Sequence, residues 1–203
     1  MYRRWEGEEG FFSSITNVLL TLNILVYIFT GIVGNNIVKI NIAVLSWLGQ
    51  YNYAVIYRGA YYQLITAMFV HGDLLHLGLN MFWLFFLGRQ IEKMMSNRDL
   101  LLIYFSGGIL GNILTLMIFP PSTISFGASG AVFAIFGALV MFGGVFSGGI
   151  QNAIFYAILI FMINLAFPAN VIAHAGGLLA GLIYGYYRGR RLIRRIYRYY
   201  PVP

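Results

Sequence analysis

Runs of predominantly apolar residues, each near the roughly 20 that cross a hydrocarbon core, recur along this chain, and polar or helix-breaking residues close every one. The first covers about 14–33, and later runs cover about 72–94, 100–119, 129–144, 153–167 and 171–187. Between them stand Ser96-Asn97-Arg98-Asp99, Pro120-Pro121-Ser122-Thr123, Gly148-Gly149 and Pro168, all turn or breaker signals. In lipid each backbone segment must satisfy its own hydrogen bonds, so such runs fold as helices. Only 9% of the 203 residues are charged, against about 25% in soluble domains, so this chain lacks the polar surface that a fold in water needs. The predicted class is an all-α membrane protein. Residues 14–187 form a six-transmembrane-helix bundle, preceded by an N-terminal segment (1–13) and followed by a basic tail (188–203). The fourth and fifth runs are short, which fits helices enclosed by neighbours or a locally thinned bilayer.

The stretch 35–70 between the first two runs is apolar and aromatic, with Trp47, Tyr51, Tyr53, Tyr57, Tyr61 and Tyr62, yet Lys39, Gln50 and Arg58 interrupt it. Trp and Tyr favour the headgroup level, so it is expected as a structured loop in the outer interface. Glu6, Glu8 and Glu9 precede a first apolar run too long for a signal sequence, so no cleavable signal is expected. With no cysteine, neither a disulfide nor a cysteine metal cluster is available. Six spans put both termini on one side. That side carries Arg3, Arg4, Arg89, Lys93, Arg98, Arg188, Arg190, Arg191, Arg194, Arg195 and Arg198, and only Lys39 and Arg58 lie opposite. The positive-inside rule makes the richer face cytoplasmic. The basic tail then reads as contact with anionic lipid headgroups rather than with nucleic acid.

Polar groups inside a membrane are costly and point to function. Runs two, four and six all start on the external side, so His76, Ser129 and His174 are expected at similar depth although more than 40 residues separate each from the next. Ser129 stands in Gly127-Ala128-Ser129-Gly130 at a helix start, where backbone N–H groups and the helix dipole favour a developing negative charge. Serines in membrane helices also serve as packing residues or caps. His174 precedes Gly177, Gly181 and Gly185, whose four-residue spacing makes a smooth face. Packed against Gly130 and Ala134, that face would bring the imidazole toward Ser129 as a general base. A histidine simply bonded to a neighbouring helix competes with this reading. His76 and Asn80, at i and i+4, share a helical face. They suit either an oxyanion pocket completed by the Ser129 N–H or an interhelical polar clamp.

Glu6, Glu8, Glu9, Glu92 and Asp99 fall on the cytoplasmic side and Asp73 in the interface, so a Ser–His dyad is expected rather than a triad with an acid. His71, Asp73, His76 and His174 could ligate a metal, but His71 and His76 are off one helical face and no H-E-x-x-H occurs. Neither metal nor cofactor is expected. A transporter is the rival from another class, though the spans carry no evident ion relay.

Three motifs, His76-x-x-x-Asn80, Gly127-Ala128-Ser129-Gly130 and Ala173-His174-x-x-Gly177-x-x-x-Gly181, stand in this order on spans two, four and six. In this the chain resembles the rhomboid family of intramembrane serine proteases. The resemblance implies a Ser129–His174 dyad, with His76, Asn80 and the Ser129 backbone N–H around the oxyanion. It also implies transmembrane substrates with helix-weakening residues, cleaved toward the outer end of their span, and a gate in span five with the following Phe167-Pro168-Ala169 or in the long loop. Glu92 and Arg89 match a structural cluster at the cytoplasmic end. Two places depart from the family pattern. A Trp-Arg pair is commonly found where this chain has Tyr62-Gln63, and a tyrosine commonly packs on the histidine ring where it has Phe133. Catalytically silent relatives that bind membrane proteins typically lack the Ser or His, and this chain has both.

Overall fold

The computed structural model describes residues 10–164 and 169–199. Arg3, Arg4, Glu6, Glu8, Glu9, Phe167 and Pro168 therefore lie outside the described residues. Helix α1 (Ile15–Val33) leads into three short helices, α2 (Ile42–Leu48), α3 (Asn52–Arg58) and α4 (Gln63–Thr66). Then come α5 (Leu74–Met94), α6 (Asn97–Ile118), α7 (Ser129–Ser147), α8 (Ile150–Asn164) and α9 (Val171–Tyr199). The chain belongs to the all-α class expected of it, a bundle of six long helices with the structured loop between its first two.

Local chemistry sets the helix starts. Ser14, Asp73 and Ser96 cap α1, α5 and α6 by accepting from the N–H three residues on. Helix α7 is the central one and packs against α5, α6, α8 and α9. Its small residues Ala131, Ala134 and Ala138 are buried with Leu84 and Ile91 of α5 and Leu100, Ile103 and Tyr104 of α6. Elsewhere large apolar side chains point outward: on α8, Phe155, Tyr156, Ile158, Met162 and Ile163 are exposed, and among its described side chains only small Ala153 and Ala157 are buried. An apolar exterior around a polar-spotted interior is the arrangement a bilayer solvent favours. Helices α1, α6 and α7 are each long and apolar enough to cross a membrane, while α8, with 15 residues, is shorter.

Two helices run past their expected C-terminal ends. Helix α7 continues to Ser147, and α9 runs unbroken to Tyr199, well past the expected end at 187. The arginines that end the apolar pattern of α9 are themselves good helix formers, so the charge changes its surroundings without stopping it.

The interfacial loop is tied down by buried amides. Gln63 accepts from the Tyr51 N–H at 2.9 Å and donates to the Ser46 and Trp47 carbonyls at 3.0 Å each. The Tyr62 hydroxyl also donates to the Trp47 carbonyl, at 3.1 Å. The Tyr62-Gln63 pair thus holds the loop to itself through neutral hydrogen bonds. Gln50-Tyr51 (β1) then pairs antiparallel with Ile124-Ser125 (β2), joining the loop to the segment that leads into α7.

Candidate active site

Helix α7 begins at Ser129, two residues after a glycine that the backbone requires. Gly127 has φ +124°, a conformation that L side chains rarely adopt, and its N–H donates to the Ala67 carbonyl at 2.9 Å. The turn leaves Ser129 in the first turn of α7, where backbone N–H groups lack helical acceptors.

Helix α9 approaches α7 along its glycines. A Cβ on Gly177 would overlap the Gly130 carbonyl oxygen, one on Gly181 that of Ala134, and one on Gly185 that of Ala138. Gly111 and Gly176 permit a similar approach between α6 and α9. With the backbones this close, the imidazole Nε2 of His174 lies 2.6 Å from Ser129 Oγ. His174 is 4% exposed. Phe133, one turn beyond Ser129, stacks on its ring with centroids 4.6 Å apart and an interplanar angle of 18°. Phe161 of α8 meets Phe133 edge-on at 6.4 Å. Loss of the tyrosine hydroxyl thus leaves the ring stack intact.

His76 faces the same space from α5. A Cβ on Gly127 would stand 2.8 Å from His76 Nε2 and 3.6 Å from Ser129 Oγ, so the missing side chain opens a gap bordered by both. The Gly72 N–H approaches His76 Nδ1 at 3.5 Å. That orientation suits the tautomer with its proton on Nε2, aimed at the gap. Phe126 and His71 flank the ring, with centroids 5.9 and 5.1 Å away. Asn80 is buried and donates to the His76 carbonyl at 2.8 Å, which spends one of its two amide hydrogens inside α5. Asp73 is engaged as the α5 cap, accepting from the His76 N–H at 2.8 Å. Among the described residues no three metal-ligating side chains converge.

The motifs do not mark every residue that holds this arrangement. Asn170 precedes α9, and its side chain reaches both Thr115 of α6 and Ser125 of β2. Its sequence signal is a cap-type residue before an apolar run and four positions ahead of His174; its two partners carry no signal at all. At the other end of the bundle, Glu92 accepts from the Ser14 hydroxyl and the Thr16 N–H, and Arg89 donates to Asn17 at 2.8 Å. This cluster locks α1 to α5, about four turns along α5 from His76.

The family model described as Rhomboid domain matches residues 58–191. Among curated proteins, YdcA of Bacillus subtilis (strain 168), whose name assigns it provisionally to the rhomboid proteases, is 28% identical over 191 residues, covering 90% of this chain and 94% of its own length. The rhomboid protease GluP of the same organism is 32% identical over 178 residues, 83% of this chain but only 33% of GluP. The chloroplastic rhomboid-like protein 11 of Arabidopsis thaliana is 38% identical over 82 residues, 40% of this chain and 29% of that protein.

Proposed function

This chain belongs to the rhomboid family, and from that premise we propose that it is an intramembrane serine endopeptidase using Ser129 and His174. The observation that carries the reading is the 2.6 Å contact between Ser129 Oγ and His174 Nε2. In the proposed reaction the Ser129 oxygen attacks the scissile carbonyl carbon while His174 Nε2 takes the hydroxyl proton. The same nitrogen then protonates the departing amine as the C–N bond breaks, leaving an acyl ester on Ser129. Water, deprotonated by His174, hydrolyses the ester and restores the serine.

The oxyanion is assigned to the gap beside Gly127, where the Ser129 N–H, His76 Nε2–H and the remaining Asn80 amide hydrogen are candidate donors. Donors fixed in place before the charge develops avoid reorganisation at the moment of reaction. The proposed substrates are transmembrane segments with helix-weakening residues near their outer end, because a regular helix shields its own peptide bonds. In the proposed orientation both termini are cytoplasmic in the cell membrane, the site opens to the outer face, and the basic end of α9 contacts anionic headgroups.

The test is cleavage of a single-span reporter in liposomes by the parental chain, Ser129→Ala and His174→Ala. Both variants are expected to lose at least about 10³-fold in rate while remaining folded. Cleavage that survives Ser129→Ala overturns the reading. A fluorophosphonate probe, which reports an activated serine without needing the right substrate, is expected to label the parental protein at Ser129.

A further inference from the structure

The glycine face of α9 lets its backbone approach α7, but a smooth face offers no knobs to stop one helix sliding along the other. Something else must set how far along α7 the imidazole stands. Asn170, one turn before His174, has the geometry for this. Its Oδ1 accepts from the Ala173 N–H at 3.0 Å, capping α9. Its Nδ2 donates to the Ser125 hydroxyl at 2.7 Å and to the Thr115 hydroxyl at 2.9 Å. Both amide hydrogens and the carbonyl are used at once.

The two acceptors are themselves held. Thr115 is fully buried and its hydroxyl donates to the Gly111 carbonyl at 2.9 Å. Ser125 is 7% exposed and its backbone is paired with Gln50 of β1. Ser125 also stands four residues before Ser129, on the segment that delivers the nucleophile. Capping alone does not need asparagine, since aspartate and serine cap about as well. The pair of N–H donors is what aspartate and serine lack.

We propose that Asn170 is a positioning residue whose carboxamide sets the axial register of α9 against β2 and α6, and through it the contact between His174 and Ser129. The proposal rests on the serine-protease reading, and it adds a residue that acts through the dyad without touching substrate.

Asn170→Asp keeps the cap and removes both donors. In the full-length protein it is expected to keep its melting temperature within about 2 °C while fluorophosphonate labelling of Ser129 slows about 10-fold, the scale of one misplaced hydrogen-bonded group. Reporter cleavage should lose kcat with KM unchanged. Ser125→Ala should slow labelling too, and adding it to Asn170→Asp should cost little more, because both remove the same bond. Labelling of Asn170→Asp at the parental rate overturns the proposal, as does slowing seen only where the melting temperature has fallen in step. The ring ¹⁵N shifts of His174, one of only three histidines, report its contact with Ser129 whether or not chemistry follows. They should move in Asn170→Asp, and shifts identical to the parent also overturn the proposal. A folded parental chain that is not labelled would remove the serine-protease reading instead, with the histidine shifts still reading the register.

Discussion

At Gly127 two constraints meet. The positive φ of +124° excludes most side chains on conformational grounds, and a Cβ would crowd His76 Nε2 at 2.8 Å. Each constraint alone explains a glycine, and together they say that the absent side chain is part of the site. Gly127→Ala is therefore expected to strain the turn and fill the gap assigned to the oxyanion. Cleavage should fall by about 10²-fold or more, the scale of losing one oxyanion donor, while circular dichroism shows the helices intact. A variant that cleaves at the parental rate would show that the gap is not where negative charge develops. Phe133 works by a different principle. Its flat stack on His174 restricts the ring plane without a polar contact, and such a pair contributes about 1 kcal/mol beyond burial. The ring orientation thus survives the loss of a hydroxyl at this position.

Between elements, the backbone-to-backbone contact sets how closely α9 approaches α7. A methyl on Gly181 would meet the Ala134 carbonyl directly, and backbone has no rotamer with which to move aside. Gly181→Ala must separate α7 from α9, and a displacement of about 1 Å at the dyad can cost roughly 10²-fold in rate. Gly143→Ala is the control, because no atom lies within 4 Å of its Cβ position and alanine is the better helix former. Cleavage should collapse in the first variant and persist in the second; equal activity in both would contradict the need for so close an approach. The opposite end of α9 is held by charge. Asp99 accepts from Arg188 at 2.9 Å, Tyr184 at 2.7 Å and the Ser96 hydroxyl at 2.6 Å. Asp99→Asn should lower the melting temperature by about 5 °C, as expected for a weakened charged hydrogen bond, yet leave the reactivity of Ser129 within about twofold, because α9 is aligned at its other end. A large loss of labelling at unchanged melting temperature would show that the two ends are coupled.

These contacts also show what a sequence can disclose. The six long helices are legible because apolar runs near bilayer length have few alternatives, and the meeting of Ser129 with His174 is legible because small residues mark where helices approach. The continuation of α9 to Tyr199 is hidden, since its arginines break the hydropathy pattern and not the helix. Strands β1 and β2 are two residues each, too short for any periodic signal. The three-way bond of Asn170 depends on where α6 and β2 arrive in space, which no local pattern encodes.

At the scale of the whole molecule, the distribution of charge is what supports the proposed orientation. Helix α9 has 29 residues, about 43 Å at the helical rise, while a hydrocarbon core is about 30 Å thick. The excess falls at its C-terminal end, where Arg191, Arg194, Arg195 and Arg198 recur at helical spacing and so share one face. Such an end is costly to move across a bilayer and is attracted to an anionic leaflet. The loop at the other end presents Trp47, Tyr57 and Tyr61, all exposed, rings of the kind that settle at the headgroup level. In the proposed orientation the two ends resist inversion for different reasons, one electrostatic and one interfacial. Because the chain has no cysteine, single cysteines can report this without background. In intact cells an impermeant maleimide is expected to label Val38→Cys and Tyr61→Cys, and to reach Arg98→Cys and Arg190→Cys only after permeabilisation. The reverse pattern would turn the Ser129 end inward. Cleavage would then fall near the cytoplasmic end of a substrate span, and the soluble fragment would be released into the cytoplasm rather than outside.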